Sequence, residues 1–374
     1  MDMPDDILFV VLDQLESPCQ TPCAVWNEPK IFWQTLIAFS VTSKRMRSLA
    51  APKLFKRVIL GPSWSVDRLS TVLSTIQSRT DVFRYTKDFR IDLWPDRNET
   101  RTCVVRRNSR DQVVVLAKRL TELLSSMIRL ERLEMTMAIG VAMSMSTVFK
   151  HNAALFPQIK ELILSPDLHW MIAMCPAATT VKANDWTASH DVEYAFLEAA
   201  AAARNLKHFS MHCSWNEEMI TRVIEKMPQL RTLGLPGCIS GDLWRRPDYY
   251  FQMLVKFEFL ERLELVDAQK LVAGLVPIDP WFRYRPLDGE HLYGMTTDQE
   301  MVTRCVLKRL PGLRELCLGR RFKARMVRSD SKVSQIRWEV TVFSHDMAEH
   351  VHELAYRHGI MTRGSTTLPS LASM

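Results

Sequence analysis

The stretch Met227-Pro228-Gln229-Leu230-Arg231-Thr232-Leu233-Gly234-Leu235 decides how the rest of the chain is read. Upstream of it, Met219, Ile220, Val223, Ile224 and Met227 share one face at helical spacing. Ser214-Trp215-Asn216-Glu217 reads as a capping box at the start of that helix. Pro228 cannot continue it. Leu230, Leu233 and Leu235 then follow the pattern apolar-x-x-apolar-x-apolar. Side chains alternate along a strand, so Leu233 and Leu235 share the buried side while Thr232 and Gly234 face away. The stretch therefore predicts one unit: a helix, a turn and a short strand.

The same pattern returns at Leu130/Leu133/Met135, Ile159/Leu162/Leu164, Leu206/Phe209/Met211, Leu260/Leu263/Leu265 and Leu313/Leu316/Leu318. Weaker copies are Thr86/Phe89/Ile91 and Ala178/Val181/Ala183. A helix–strand unit exposes an apolar side when alone, so neighbouring units must stack. Val113, Leu116, Ala117, Leu120, Leu124 and Met127 form the stripe of the helix before Leu130, and Tyr194 to Ala203 is an alanine-rich run before Leu206. The expected class is α/β. Its strand-to-strand period falls mostly near that of a leucine-rich repeat, although no asparagine ladder accompanies it and a non-repeat α/β fold fits the same pattern.

The first sixty residues are different. Pro4 suits a first helical turn, with Asp5 and Asp6 favouring the positive helix end. Ile7, Leu8, Val11, Leu12 and Leu15 make an apolar stripe, 16–30 reads as a proline-bearing loop, and an apolar helix resumes over 31–39. Thr42 or Ser43 caps the next helix, whose Lys44, Arg45 and Arg47 face water. On Met3-Pro4-Asp5-Asp6-Ile7-Leu8, on Ser40-Val41-Thr42-Ser43-Lys44-Arg45-Met46-Arg47-Ser48-Leu49 and on Pro52 to Val58, this segment resembles an F-box, in the form found in fungal proteins with degenerate leucine-rich repeats. Met46 stands where many F-boxes carry Trp. The expected organisation is a helical F-box-like head over 1–60, an irregular leucine-rich-repeat-like domain over 61–361, and a flexible tail over 362–374.

The resemblance implies a non-catalytic substrate-recognition subunit of a Skp–cullin–F-box ubiquitin ligase, with Pro4, Ile7, Leu8, Leu36, Val41 and Leu49 helping to form the helical unit that binds a Skp-type adaptor and, through it, a cullin; some of the six are internal core of that unit. An F-box scaffold without ubiquitin transfer and a basic nucleic-acid-binding α/β protein are the alternative readings. The target of such a receptor is not named by the sequence. The outward strand positions mix charge signs, which fits a protein or peptide surface better than a polyanion and argues against nucleic acid. Of these positions Arg262 and Glu264, together with Trp281 in the aromatic stretch 266–298, are the expected target contacts; the plainer reading has Arg262 and Glu264 pair with neighbours.

The 374 residues are 47% hydrophobic and 24% charged, with a net charge of +7, an ordinary globular composition. Basic residues gather in 101–120 and 320–339. No apolar run reaches membrane-spanning length, and eight scattered cysteines suit a reducing compartment, cytoplasmic or nuclear. No cofactor or metal is expected. Glycine-rich phosphate loops and nucleophile elbows are absent from the sequence, Cys19 and Cys23 lack a second ligand pair, and Tyr356 stands where a His-Glu-x-x-His motif beginning at His352 needs histidine.

Overall fold

In the computed structural model the described residues are 5, 8, 28–60, 66–93, 107–184, 189–239, 247–265, 302–303, 306–318, 322–327, 335–340 and 367–368. The fold is α/β. The chain divides into two compact units, Met1–Leu206 and Lys207–Met374. Among the described residues no helix is long and apolar enough to cross a membrane.

The first unit begins with two helices, α1 (Glu28–Thr42) and α2 (Lys44–Leu54). Glu28 to Lys30, within the stretch expected to be loop, already belong to α1. Five strands follow: β1 (Arg57–Leu60), β2 (Asp88–Leu93), β3 (Arg132–Met137), β4 (Glu161–Leu164) and β5 (Thr180–Ala183). They pair in parallel, in chain order. The first of these strands, β1, lies inside the last four residues of the 1–60 stretch. Between them run α3 (Val66–Gln77), α4 (Thr80–Tyr85), α5 (Arg107–Ser126), α6 (Ile139–His151) and α7 (Trp170–Met174). Helix α8 (His190–Ala201) follows β5.

Every repeat copy lands on a strand, and within each unit the copies are in register. Phe89, Leu133, Leu162 and Val181 are consecutive Cα partners across β2–β5, and all four are fully buried. The stripe of α5 also behaves as read: Val113, Leu116, Ala117, Leu120, Leu124 and Met127 show no exposure. Each fully buried leucine contributes roughly 1.5–3 kcal/mol relative to exposure. Phe149 of α6 closes the core against Phe156 (centroids 6.2 Å) and Trp170 (5.3 Å).

The turn into each strand explains the prolines. The N–H of Leu130 donates to Met127 O, Ile159 to Phe156 O, Ala178 to Cys175 O, Leu230 to Met227 O and Leu313 to Leu310 O, at 3.0–3.2 Å. In four of these turns the residue after the acceptor is proline: Pro157, Pro176, Pro228 and Pro311. Proline presets the φ needed at the second position of a tight turn. One residue before each strand, a backbone carbonyl then accepts two successive N–H groups from the next strand. Lys56 O takes Lys87 and Asp88, Lys87 O takes Glu131 and Arg132, and Glu131 O takes Lys160 and Glu161, all at 2.8–3.1 Å.

The second unit has β6 (His208–Ser210), β8 (Thr232–Leu235), β10 (Arg262–Leu265) and β11 (Glu315–Leu318) parallel to one another. Phe209, Leu233, Leu263 and Leu316 are consecutive partners, each at most 1% exposed. Strands β12 (Phe322–Val327), β13 (Gln335–Val340) and β14 (Thr367–Leu368) continue antiparallel from β11. Strand β14 falls in the stretch read as a tail. A second, two-stranded parallel pair joins β7 (Cys213–Trp215) to β9 (Gly237–Ile239). Helices α9 (Glu217–Lys226) and α10 (Pro247–Leu254) complete the described part.

The capping box expected at Ser214 is corrected. Ser214 lies within β7, and the N-cap of α9 is Asn216, whose side chain accepts the N–H of Met219 at 2.8 Å. Met219, Ile220, Val223 and Met227 are buried as expected, while Ile224 is half-buried. Pro4, Ile7, Trp281, the rest of the 266–298 stretch and the histidines from His345 to His358 lie outside the described residues.

Candidate functional site

Two surfaces come from the residues the sequence singles out. The first is the helical head. Helix α1 ends where Ser43 turns extended (φ −159°, ψ 164°), and its Oγ accepts the Met46 N–H at 3.1 Å, capping α2. Of the two caps expected, Ser43 is the one used. Lys44, Arg45 and Arg47 face water, and Arg45 forks onto Asp5 Oδ1 at 2.5 and 2.9 Å.

The head keeps its own core. Leu8, Leu36, Leu49 and Ala50 are buried together, with Phe39, Met46 and Leu54 packed against them. Met46 therefore fills interior volume, a job its flexible thioether does well. Of the six residues singled out, the four within the described residues thus separate. Leu8, Leu36 and Leu49 are interior. Val41 is 66% exposed, and Ile37, one helical turn before it, is 53% exposed. Ile37 was not singled out, although the spacing Ile37–Val41 was visible within the apolar run of α1.

The second surface is the outward side of the strands, where charges are distributed as a ladder. In the first unit Arg57 pairs with Asp88 (2.7 Å), Arg90 with Glu134 (3.4 Å), and Lys182 with Glu161 (3.3 Å). Arg132 lies 3.5 Å from Glu134 and 3.9 Å from Asp88. Asn184 Nδ2 donates to Thr136 Oγ1 at 2.7 Å. Strands are about 4.8 Å apart, so opposite charges on adjacent strands reach one another without strain.

In the second unit the expected contacts Arg262 and Glu264 do pair with neighbours. Arg262 Nη2 donates to Glu264 Oε1 at 2.6 Å, and Nη1 lies 2.9 Å from Glu315 Oε1. Partial burial alone lowers the pKa of Arg262, but Cys317, Glu264 and Glu315 outweigh it and the net direction is up. Glu315 is the partner that sequence reasoning missed, because it lies 53 residues along the chain and meets Arg262 only through strand register. Beside this cluster, a Cβ on Gly234 would fall 2.3 Å from Ser210 Oγ and 3.2 Å from Glu264 Oε2, so only glycine fits. His208 Nδ1 and Thr232 Oγ1 share a hydrogen bond of 2.8 Å.

These pairs are half in water, and such pairs stabilise by about 0–1 kcal/mol. Reversing Arg262 has a larger effect, because it leaves three carboxylates side by side. Arg262→Glu is expected to cost about 1.5–3 kcal/mol in low salt, the range for a lost hydrogen bond to a charged group. The loss shrinks in 1 M salt. Chemical denaturation at the two salt concentrations measures it, and Glu264→Gln is expected to cost less.

Chemistry is sparse among the described residues. No group of three or more His, Cys, Asp or Glu side chains is placed to hold a metal. Cys175, Cys213 and Cys317 are buried, each as a thiol. Burial pushes the Cys175 thiol upward, which keeps it protonated and a poor nucleophile. The Tyr250 hydroxyl is likewise pushed up by burial and has no hydrogen-bond partner among the described residues. A scan against protein-family models gives no match for this chain, and a search of curated proteins gives none either.

Proposed function

We propose that this chain is the substrate-recognition subunit of a Skp–cullin–F-box ubiquitin ligase. In this reading the N-terminal helices dock a Skp-type adaptor, and the strand units, leucine-rich-repeat-like in their spacing, hold a target protein. The protein does no chemistry itself. It raises the effective concentration of its target near the conjugating enzyme.

The observation that carries the reading is the division of labour in the head. Leu8, Leu36, Leu49 and Ala50 close a small core of their own, while Ile37 and Val41 stand in water on successive turns of α1. Singly exposed aliphatics are common; in this reading the two in one row beside that core are where the partner docks. The F-box resemblance of the sequence says what that partner is. The in-register strands support the second half of the reading, because their outward side is a charged and polar protein surface.

The test uses the full chain with Ile37→Asp and Val41→Asp combined. Both side chains are already exposed, so the melting curve is expected to stay within a few degrees of wild type. Binding of a purified Skp-type adaptor is expected to weaken at least tenfold, measured by calorimetry. Wild-type affinity in the double variant would remove the adaptor from this helix. A receptor that drives ubiquitin transfer also shortens the life of its target, whereas a scaffold does not. Target half-life in cells lacking this protein separates the two.

A further inference from the structure

The residues that immediately precede β1 to β4 are Lys56, Lys87, Glu131 and Lys160. The shared-carbonyl hydrogen bonds described above make them direct neighbours, one per strand. At strand spacing, about 4.8 Å, the four form a line of roughly 14 Å. All four are exposed, and so is Arg129, two residues before Glu131. The only acid in the line is taken by Lys87 at 3.8 Å. Among the described residues, Arg129 and Lys160 have no ion-pair partner.

Helix dipoles do not account for these cations. Lys53 in the last turn of α2 and Arg84 in the last turn of α4 sit where a helix C-terminus attracts positive charge. The residues in the line are outside the helices. The turns that lead into the line also carry large aliphatics: Ile128 is 72% and Leu155 is 63% exposed. The edge is thus a short row of net charge +3 with two exposed hydrophobic side chains beside it.

That combination selects its occupant. A nucleic acid wants aromatic platforms for its bases, yet the half-buried Tyr85 near this edge already has the Arg84 guanidinium over its ring at 5.5 Å, and Glu131 interrupts any phosphate track. A bilayer wants a broad cationic plane, and this is a line one residue wide. We propose that the edge formed by Lys56, Lys87, Arg129, Glu131 and Lys160, with Ile128 and Leu155 beside it, docks an acidic segment of a partner protein that carries leucine-like side chains. The acids of the segment meet the lysines, and its aliphatics cover Ile128 and Leu155. None of its residues belongs to the exposed Ile37–Val41 row of α1 or to a strand.

The second unit provides an internal comparison. Lys207, Arg231, Glu261 and Arg314 precede β6, β8, β10 and β11 with the same order of signs, and Arg231 takes Glu261 at 3.6 Å. There the turn before Glu261 holds an exposed acid, Glu258, at the position that the aliphatic Ile128 takes before Glu131. Weaker binding is expected at this row.

The experiment is fluorescence anisotropy on the full chain in low salt. One labelled probe is a peptide of about 18 residues alternating Glu or Asp with Leu. A second probe has Ser in place of each Leu, and the others are single-stranded RNA of about 18 nucleotides and phosphatidylserine vesicles. The Leu-bearing acidic peptide is expected to bind best. Lys56→Glu, Lys87→Glu and Lys160→Glu together are expected to weaken it at least tenfold with an unchanged melting curve. Lys207→Glu alone is expected to weaken it less than threefold. Ile128→Ser with Leu155→Ser is expected to remove the preference for the Leu-bearing peptide over its Ser counterpart, a readout that survives if the charge variant misfolds. Tighter binding of RNA or of vesicles than of peptide overturns the proposal, and so does undiminished binding by the triple variant.

Discussion

Leu233→Ala is expected to lower the stability of the second unit by roughly 2–5 kcal/mol. Leu233 is 1% exposed and lies between Phe209 and Leu263 in the strand register. Its side chain therefore meets partners fixed by two backbone ladders, one on each side. Neither ladder can move inward to refill the space without breaking its own hydrogen bonds, so the cavity stays open and the cost lies above that of simple transfer. For a unit of this size the loss corresponds to a fall in melting temperature of about 5–15 °C. Thr232→Ala, one residue away on the opposite side of the strand, removes only the hydrogen bond to His208, worth about 0.5–1.5 kcal/mol. Differential scanning calorimetry of both variants measures the contrast. Equal melting temperatures would remove Leu233 from the core.

The second large effect is expected at Gly237. This residue has φ +106°, in the region that favours glycine, and it is the partner of Cys213 in the β7–β9 pair. A Cβ there would lie 2.1 Å from the Cys213 carbonyl oxygen and 2.9 Å from its nitrogen. Both are backbone atoms, so no side-chain rotation relieves the overlap. Gly237→Ala combines this clash with a backbone strain of about 1–3 kcal/mol and separates β9 from β7. Cys213, fully buried in the wild type, is then expected to react with a thiol reagent under native conditions. Gly312→Ala is the matched control, since a Cβ there meets only Leu260 O at 3.8 Å. If Gly237→Ala melts with the wild type and leaves Cys213 protected, β9 does not hold the backbone described.

What the sequence reveals follows from the range of each interaction. The buried side of a strand is a local matter, fixed by alternation, so Phe89, Leu133, Leu162, Leu233, Leu263 and Leu316 were all legible. The helix of 107–126 was legible for the same reason. The start of α9 was not, because Ser214 and Asn216 both offer a capping oxygen. The decision falls to β9, some twenty residues later, which takes Ser214 into a strand pair. Strand β1 is short and shows only Leu60 fully to the core, so its residues read as the end of the head. In the head, one helix carries both interior and exposed aliphatics. Periodicity places Leu36 and Ile37 side by side but does not say which faces α2. The link between Arg262 and Glu315 depends on register across a long gap and leaves no trace in either local sequence.

The shared-carbonyl joints have a consequence for how the first unit is made. From β1 to β5 the order of strands in space is their order in the chain, so each strand's template has left the ribosome before the strand itself. A newly synthesised strand adds at a free edge, and nothing already assembled has to open to admit it. Loop-closure costs are met one short crossover at a time instead of across the whole chain. Translation adds about 5–20 residues each second, and a helix–turn–strand step can order well within the time needed to synthesise the next one. The first unit is thus arranged to assemble in the direction of its own synthesis.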